Sequence, residues 1–244
     1  MNKLALPLLV ALMLGGAPTA HARSDVVSAQ APDVGPFQRV EVAGHAELVL
    51  VQGDREGVVV EASPKSQARV RVRAQNGRLT IEVGDTASWL GVMGSGAREP
   101  TITVYFRSLE SLKTSGSIKT TAATIVSPAL DINASGAASF RVDALKVDSL
   151  RFTGAGAVKG EFAGTATRQE VSISGAGTYR GSKLASDSAT VNVSGAGKVS
   201  INASKQLDAS ISGAGAIEYF GDPLLRQRVS GAGKITRRPA ITSS

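Results

Sequence analysis

A tetrapeptide of small residues recurs through the second half of this 244-residue chain. It reads Ser115-Gly116-Ser117-Ile118, Ser135-Gly136-Ala137-Ala138, Thr153-Gly154-Ala155-Gly156, Ser174-Gly175-Ala176-Gly177, Ser194-Gly195-Ala196-Gly197, Ser212-Gly213-Ala214-Gly215 and Ser230-Gly231-Ala232-Gly233. The first residues step by 20, 18, 21, 20, 18 and 18. A unit of this size cannot bury its own apolar side and must cover it with the next unit, so such a period implies a stack. Before each copy apolar and polar residues alternate, as in Leu150-Arg151-Phe152, Val171-Ser172-Ile173, Val191-Asn192-Val193 and Ala209-Ser210-Ile211. Apolar residues resume after it, at Val158, Tyr179, Val199, Ile217 and Ile235. A period of two is the signature of strand.

Antiparallel hairpins would need tight-turn pairs between strands, and the one Asn-Gly pair, Asn76-Gly77, lies outside the repeat. The expected fold is therefore all-β, a right-handed parallel β-helix (solenoid) with rungs of about 18–21 residues, stacked ~4.8 Å apart. The repeat glycines, Gly116, Gly136, Gly154, Gly156, Gly175, Gly177, Gly195, Gly197, Gly213, Gly215, Gly231 and Gly233, are read as structural. They serve either bends at corners or strands where backbones approach closely, and spacing alone leaves both open. A phosphate-cradling loop would require a helix after the glycines, whereas strand pattern follows them.

The amino-terminal half is less regular. Phe37–Val42, Glu47–Asp54, Val58–Ala62, Arg69–Arg73, Gly77–Val83 and Thr101–Tyr105 read as strands of irregular rungs leading into the stack. One domain is expected over residues 36–238, with disordered segments at 23–35 and 239–244. Residues 1–22 read as a signal peptide: Lys3, the apolar run Leu4–Leu14, a small-residue break, then Ala20-His21-Ala22 as a cleavage site. The apolar run is shorter than the ~20 residues a spanning helix needs, and no later segment qualifies. Export to the periplasm or cell surface is the implied localisation.

The chain has no cysteine, which removes both a disulfide framework and a cysteine-linked lipid anchor. Aromatics make up only 4 %, against 27 glycines, so the core must be thin and built of small and β-branched side chains. The formal net charge of +7 favours anionic polymers or surfaces as partners, an anionic glycan or the envelope surface foremost. No recognition helix, RNA-binding aromatic motif or dense basic run points to nucleic acid.

Gly35-Pro36-Phe37 with Val40 and Val42, Val49 to Asp54, Val58–Ala62, Gly77–Ile81, Leu109 to Ile118 and the later repeats follow one another in a definite order. The ending Ile217–Pro223, then Ser230-Gly231-Ala232-Gly233, completes it. In this order and spacing the chain resembles the "putative auto-transporter adhesin, head GIN domain" family from about Phe37 to Ile235. The resemblance implies a right-handed β-helix in an exported protein and carries no catalytic residues with it.

Candidate chemistry is sparse. A triad needs a histidine base, and after cleavage only His45 remains, in a turn-like setting. Clustered metal ligands and a regular aspartate are missing from the repeat, so no cofactor or metal is expected. A glycosidase needs two facing carboxylates, yet Asp131, Asp143, Asp148, Glu161, Glu170, Asp187 and Asp208 share no column. Candidate binding residues are Trp89 and Met93, in a segment read as a contact loop or a cap on the stack, and the basic cluster Arg226, Arg228, Arg237 and Arg238 with Lys234. Arg69, Arg71 and Arg73 share one strand face, where such charges block edge pairing. The Ser/Thr column of the repeat either stacks within the wall or displays hydroxyls to a flat ligand. The functional expectation is a non-catalytic envelope protein presenting a rigid surface for binding or adhesion. An envelope polysaccharide-active enzyme and a purely structural subunit are the alternatives.

Overall fold

A computed structural model describes residues 27–30, 34–84 and 99–239. Residues 1–22, read above as a signal peptide, Trp89, Met93 and residues 240–244 lie outside the described residues. The chain forms a parallel β-solenoid of about six turns. Its strands are β1 (Val27–Gln30), β2 (Arg39–Gln52), β3 (Gly57–Ala62), β4 (Val70–Gln75), β5 (Arg78–Val83), β6 (Thr101–Phe106), β7 (Ser111–Gly136), β8 (Ser139–Gly156), β9 (Lys159–Gly175), β10 (Thr178–Gly195), β11 (Lys198–Asn202), β12 (Gln206–Gly213), β13 (Ala216–Phe220), β14 (Leu224–Ser230) and β15 (Lys234–Arg237). A short helix, α1 (Pro64–Gln67), is capped by the Ser63 hydroxyl, which accepts from the Ser66 amide.

From β7 onward each turn of chain pairs in parallel with the next, β7 on β8, β8 on β9 and β9 on β10. The tenth strand then carries β11 and β12, which carry β13 and β14, and β15 closes on β13. Alternation along each strand sends every second side chain inward, where equivalent residues stack. One such column runs Leu79, Val40, Leu112, Ile132, Phe152, Val171, Val191 and Ala209, all buried. Burial of these side chains is worth roughly 1.5–3 kcal/mol each for the Val, Leu, Ile and Phe members.

The glycine question resolves into two columns. Gly116, Gly136, Gly156, Gly175, Gly195, Gly213 and Gly231 all have positive φ and stand one above another at a corner. A Cβ at Gly136 would lie 2.6 Å from the Gly116 carbonyl oxygen, so a corner this tight admits only glycine. The second column faces inward and becomes smaller along the rod, from Ile118 and Ala138 through Val158 to Gly177, Gly197 and Gly215. There the glycines make room for neighbouring aliphatic side chains; a Cβ at Gly215 would meet Val193 Cγ1 at 2.6 Å.

Register corrects one repeat. Ala155 lies opposite Ser135 and Gly156 opposite Gly136, so Gly156, not Gly154, belongs to the corner column. Gly154 points inward against Val158. The column also begins earlier than the tetrapeptide does: Gly44, φ +110°, sits opposite Gly116.

The amino-terminal half departs from the expected parallel rungs. The second strand is sandwiched between the fifth and sixth strands on one side and the seventh on the other, all parallel. The chain therefore lays down β2, leaves it, builds a rung beneath it, and only then climbs past it. The strands made on that excursion run the other way: β3 is antiparallel to β6, β4 to β5 and β1 to β3. Asn76-Gly77 joins β4 to β5 with φ of 52° and 71°, as a tight hairpin requires. These antiparallel strands cover the first rung, the office that open repeat ends require. Val27–Gln30, inside the segment expected to be disordered, is one of them.

Candidate functional site

Each outward position repeats once per rung, so the outer wall is a set of straight rows. On the side preceding the glycine corner, one row reads Thr80, Glu41, Lys113, Asn133, Thr153, Ser172, Asn192, Ser210 and Arg228. Beside it runs Glu82, Ala43, Ser115, Ser135, Ala155, Ser174, Ser194, Ser212 and Ser230. The serines of the second row are exposed, and among the described residues only Ser135 spends its hydroxyl within the wall, donating to the Thr114 carbonyl at 3.4 Å. The row is thus a display of free hydroxyls more than a stitched wall.

At the amino-terminal end these two rows flank a shallow trough of about 430 Å³, lined among others by Glu41, Glu82, Lys113, Asn133, Ser135 and Thr153. Two carboxylates enter it, from adjacent rungs. Glu41 is committed to Arg78 at 3.5 Å. The trough offers amide, hydroxyl, carboxylate and ammonium groups on a fixed backbone, a lining suited to holding a polar ligand by hydrogen bonds. Sequence reading passed over it because Glu41, Glu82 and Lys113 lie far apart along the chain.

The basic cluster occupies the last rung. Arg226 approaches Asp208 at 4.0 Å; Arg237 donates to the Gly221 carbonyl at 3.0 Å and faces Asp222 at 3.1 Å; Arg238 binds Glu218 at 2.6 Å. The Arg238 hydrogen bond, with Lys198 nearby, holds the Glu218 carboxyl below its ordinary value. Three of the four arginines therefore contact acidic groups of their own chain, and Arg228 makes no such pair among the described residues. Arg237 and Arg238 edge a hollow of about 480 Å³ with Gly221, Asp222 and Pro239. The fourteenth and fifteenth strands each pair on one side only, among the described residues. Arg71 and Arg73 are exposed along the fourth strand, which also pairs on one side only.

His45 follows Gly44 at the glycine corner. Among the described residues no cluster of three or more His, Asp or Glu could hold a metal ion, and no helix is long and apolar enough to cross a membrane.

The profile of the family described as "Putative auto-transporter adhesin, head GIN domain" matches residues 36–223. Similar solved structures include a "putative adhesin" from Bacteroides fragilis, 18 % identical, covering 88 % of this chain and 96 % of that one, at a TM-score of 0.79. A "putative adhesin" from Parabacteroides distasonis is 22 % identical, with coverages of 88 % and 98 % and a TM-score of 0.65. A "putative lipid binding protein" from the same species is 18 % identical, with coverages of 88 % and 98 % and a TM-score of 0.63. At these identities the likeness is one of fold. No protein of curated function matches the chain.

Proposed function

Since this chain belongs to the family described as "Putative auto-transporter adhesin, head GIN domain", we propose that it is an exported, non-catalytic protein that binds an envelope or cell surface through the side of its rod. The observation that carries the reading is the outer wall itself. Rows of short polar side chains recur at the strand spacing along a backbone held by continuous parallel pairing, and such a wall cannot reshape itself around a small substrate. It can meet a long, repetitive ligand at many equivalent points. Each contact is weak, and their number and common geometry supply the affinity. The excess of basic groups directs that binding toward anionic glycans or the envelope surface.

Export rests on the leader at residues 1–22, and mass spectrometry of the protein recovered outside the cytoplasm should find Arg23 as its first residue. For binding, the mature chain is passed over peptidoglycan, isolated envelopes and immobilised glycans beside a basic peptide of equal charge. Retention above that peptide supports the reading, and equal retention refutes it. Release of reducing ends from any retained glycan would move the trough carboxylates, Glu41 and Glu82, from display to catalysis.

A further inference from the structure

We infer that the wall following the glycine corner carries a docking row for a linear anionic polysaccharide charged on alternate sugars. The register places Thr101, Glu47, Lys119, Ser139, Lys159, Thr178, Lys198, Ala216 and Lys234 in one outward row. From Lys119 onward, lysine alternates strictly with a small residue. The four lysines are exposed; Ser139, Thr178 and Ala216 between them are half-buried. Neighbouring lysine positions are thus separated by two rungs, about 9.6 Å along the backbone at the usual strand separation.

The row is only partly neutralised by its own chain. Lys119 binds Glu47 at 2.7 Å and Lys198 stands 3.8 Å from Glu218, whereas Lys159 and Lys234 form no ion pair among the described residues. In the adjacent row, Arg141 and Arg180 flank Glu161, so the middle of this wall is net basic. Arg180 also forms no ion pair among the described residues, while Arg141 holds Asp143 at 3.0 Å.

Charge spacing selects the partner. Each strand of duplex DNA presents a phosphate every ~3.4 Å of helix axis, far more closely than these lysines recur. A membrane offers a plane of mobile headgroups and has no use for a straight row. A sugar ring in an extended chain advances by close to one strand spacing, so a carboxylate on every second ring falls opposite every second rung. The Ser139 and Thr178 hydroxyls then lie opposite the uncharged rings, where they can hydrogen-bond sugar hydroxyls. This assignment rests on the surface-binding reading above and names both its wall and its ligand class.

The test uses the mature full-length chain and labelled polymers: hyaluronan, charged on alternate sugars; polygalacturonate, charged on every sugar; neutral dextran; single-stranded DNA; and phosphatidylglycerol vesicles. At equal total charge hyaluronan should bind about tenfold more tightly than polygalacturonate, the reverse of what charge density alone would give. The binding should weaken as salt is raised to about 0.15 M. Lys159→Gln with Lys198→Gln should reduce hyaluronan affinity about tenfold, Lys159→Arg with Lys198→Arg should keep most of it, and Arg226→Gln with Arg228→Gln should change it less than about twofold. Equal or tighter binding of polygalacturonate, DNA or vesicles, or indifference to the lysine substitutions, overturns the row. If the lysine variants remain bound to isolated envelopes as well as the wild type does, the row falls and the broader reading stands. A wild-type chain held by neither polymers nor envelopes sinks both.

Discussion

Tyr179 donates its hydroxyl proton to Gln169 Oε1 at 2.8 Å, with both side chains wholly buried in the middle of the rod. Gln169 Nε2 in turn donates to the Leu184 carbonyl at 3.2 Å, so Gln169 on one turn is joined across the interior to two positions on the next. The ring packs against Phe152 and Phe162, at 5.3 and 5.4 Å between centroids. Burial pushes the phenol far above its ordinary pKa, and it stays a donor throughout the usable pH range. Tyr179→Phe leaves the Gln169 oxygen unpaired and should cost about 1–3 kcal/mol. Adding Gln169→Leu removes the orphaned acceptor, so the double variant should lose less than the sum of the singles. A urea-melt double-mutant cycle reads the coupling; strict additivity would show that the pair is not coupled.

The corner column makes a second prediction. At Gly195, φ is +111° and a Cβ would sit 2.8 Å from the Gly175 carbonyl oxygen. Gly195→Ala should cost about 2–5 kcal/mol, combining backbone strain with a contact that neither stacked backbone can relieve. Gly53→Ala, with open space around it, should lie within about 0.5 kcal/mol of wild type. Calorimetric melting of the two variants side by side settles the comparison; similar stabilities would mean the stack yields at its corners.

Not every inward residue suits the core. Thr114 and Thr120 bury hydroxyls that make no hydrogen bond among the described residues. Thr120→Val keeps the shape and removes the unmet polar group, and should raise stability by about 1 kcal/mol. A lower urea midpoint would place an unseen acceptor beside that hydroxyl.

Acid should loosen the last rung first. The hydrogen bond from Arg238, helped by Lys198, holds the folded pKa of Glu218 below its ordinary value of 4.5. A depressed carboxylate contributes stability that is fully present above that ordinary value and is lost as pH falls through the lower, folded one. Hydrogen exchange at residues 234–238 should therefore accelerate as pH drops below about 4.5, after correction for intrinsic rates, while exchange in β8 and β9 stays slow. Glu218→Gln should show the faster exchange already at neutral pH and lose most of its acid dependence. An unchanged profile in that variant would assign the acid response elsewhere.

Much of this architecture is legible from local pattern. A period of two around a repeat near 20 residues is enough to assign strands, their inward faces and a stack, because alternation and the need to cover each rung act within one repeat. Gly116, Gly136, Gly175, Gly195, Gly213 and Gly231 are identified as structural for the same reason. The excursion between Gly44 and Gly116 is not legible this way: residues that become vertical neighbours are separated by two antiparallel strand pairings whose partners lie far away in sequence.

Local pattern along the chain dictates the kind of object: parallel rungs of small and β-branched residues, their inner faces apolar, their corners glycine. Which outward residues stand in line is set by the folded stack alone. Rungs differ by a residue or two, and irregularities between Val142 and Leu145 and between Arg180 and Lys183 shift the count partway round a turn. Counting therefore loses the register, and with it the trough that joins Glu41 to Glu82 and the row that aligns Lys119, Lys159, Lys198 and Lys234. Backbone hydrogen bonds between rungs restore that register, since each rung must pair along its length with the one below before its side chains can share a row.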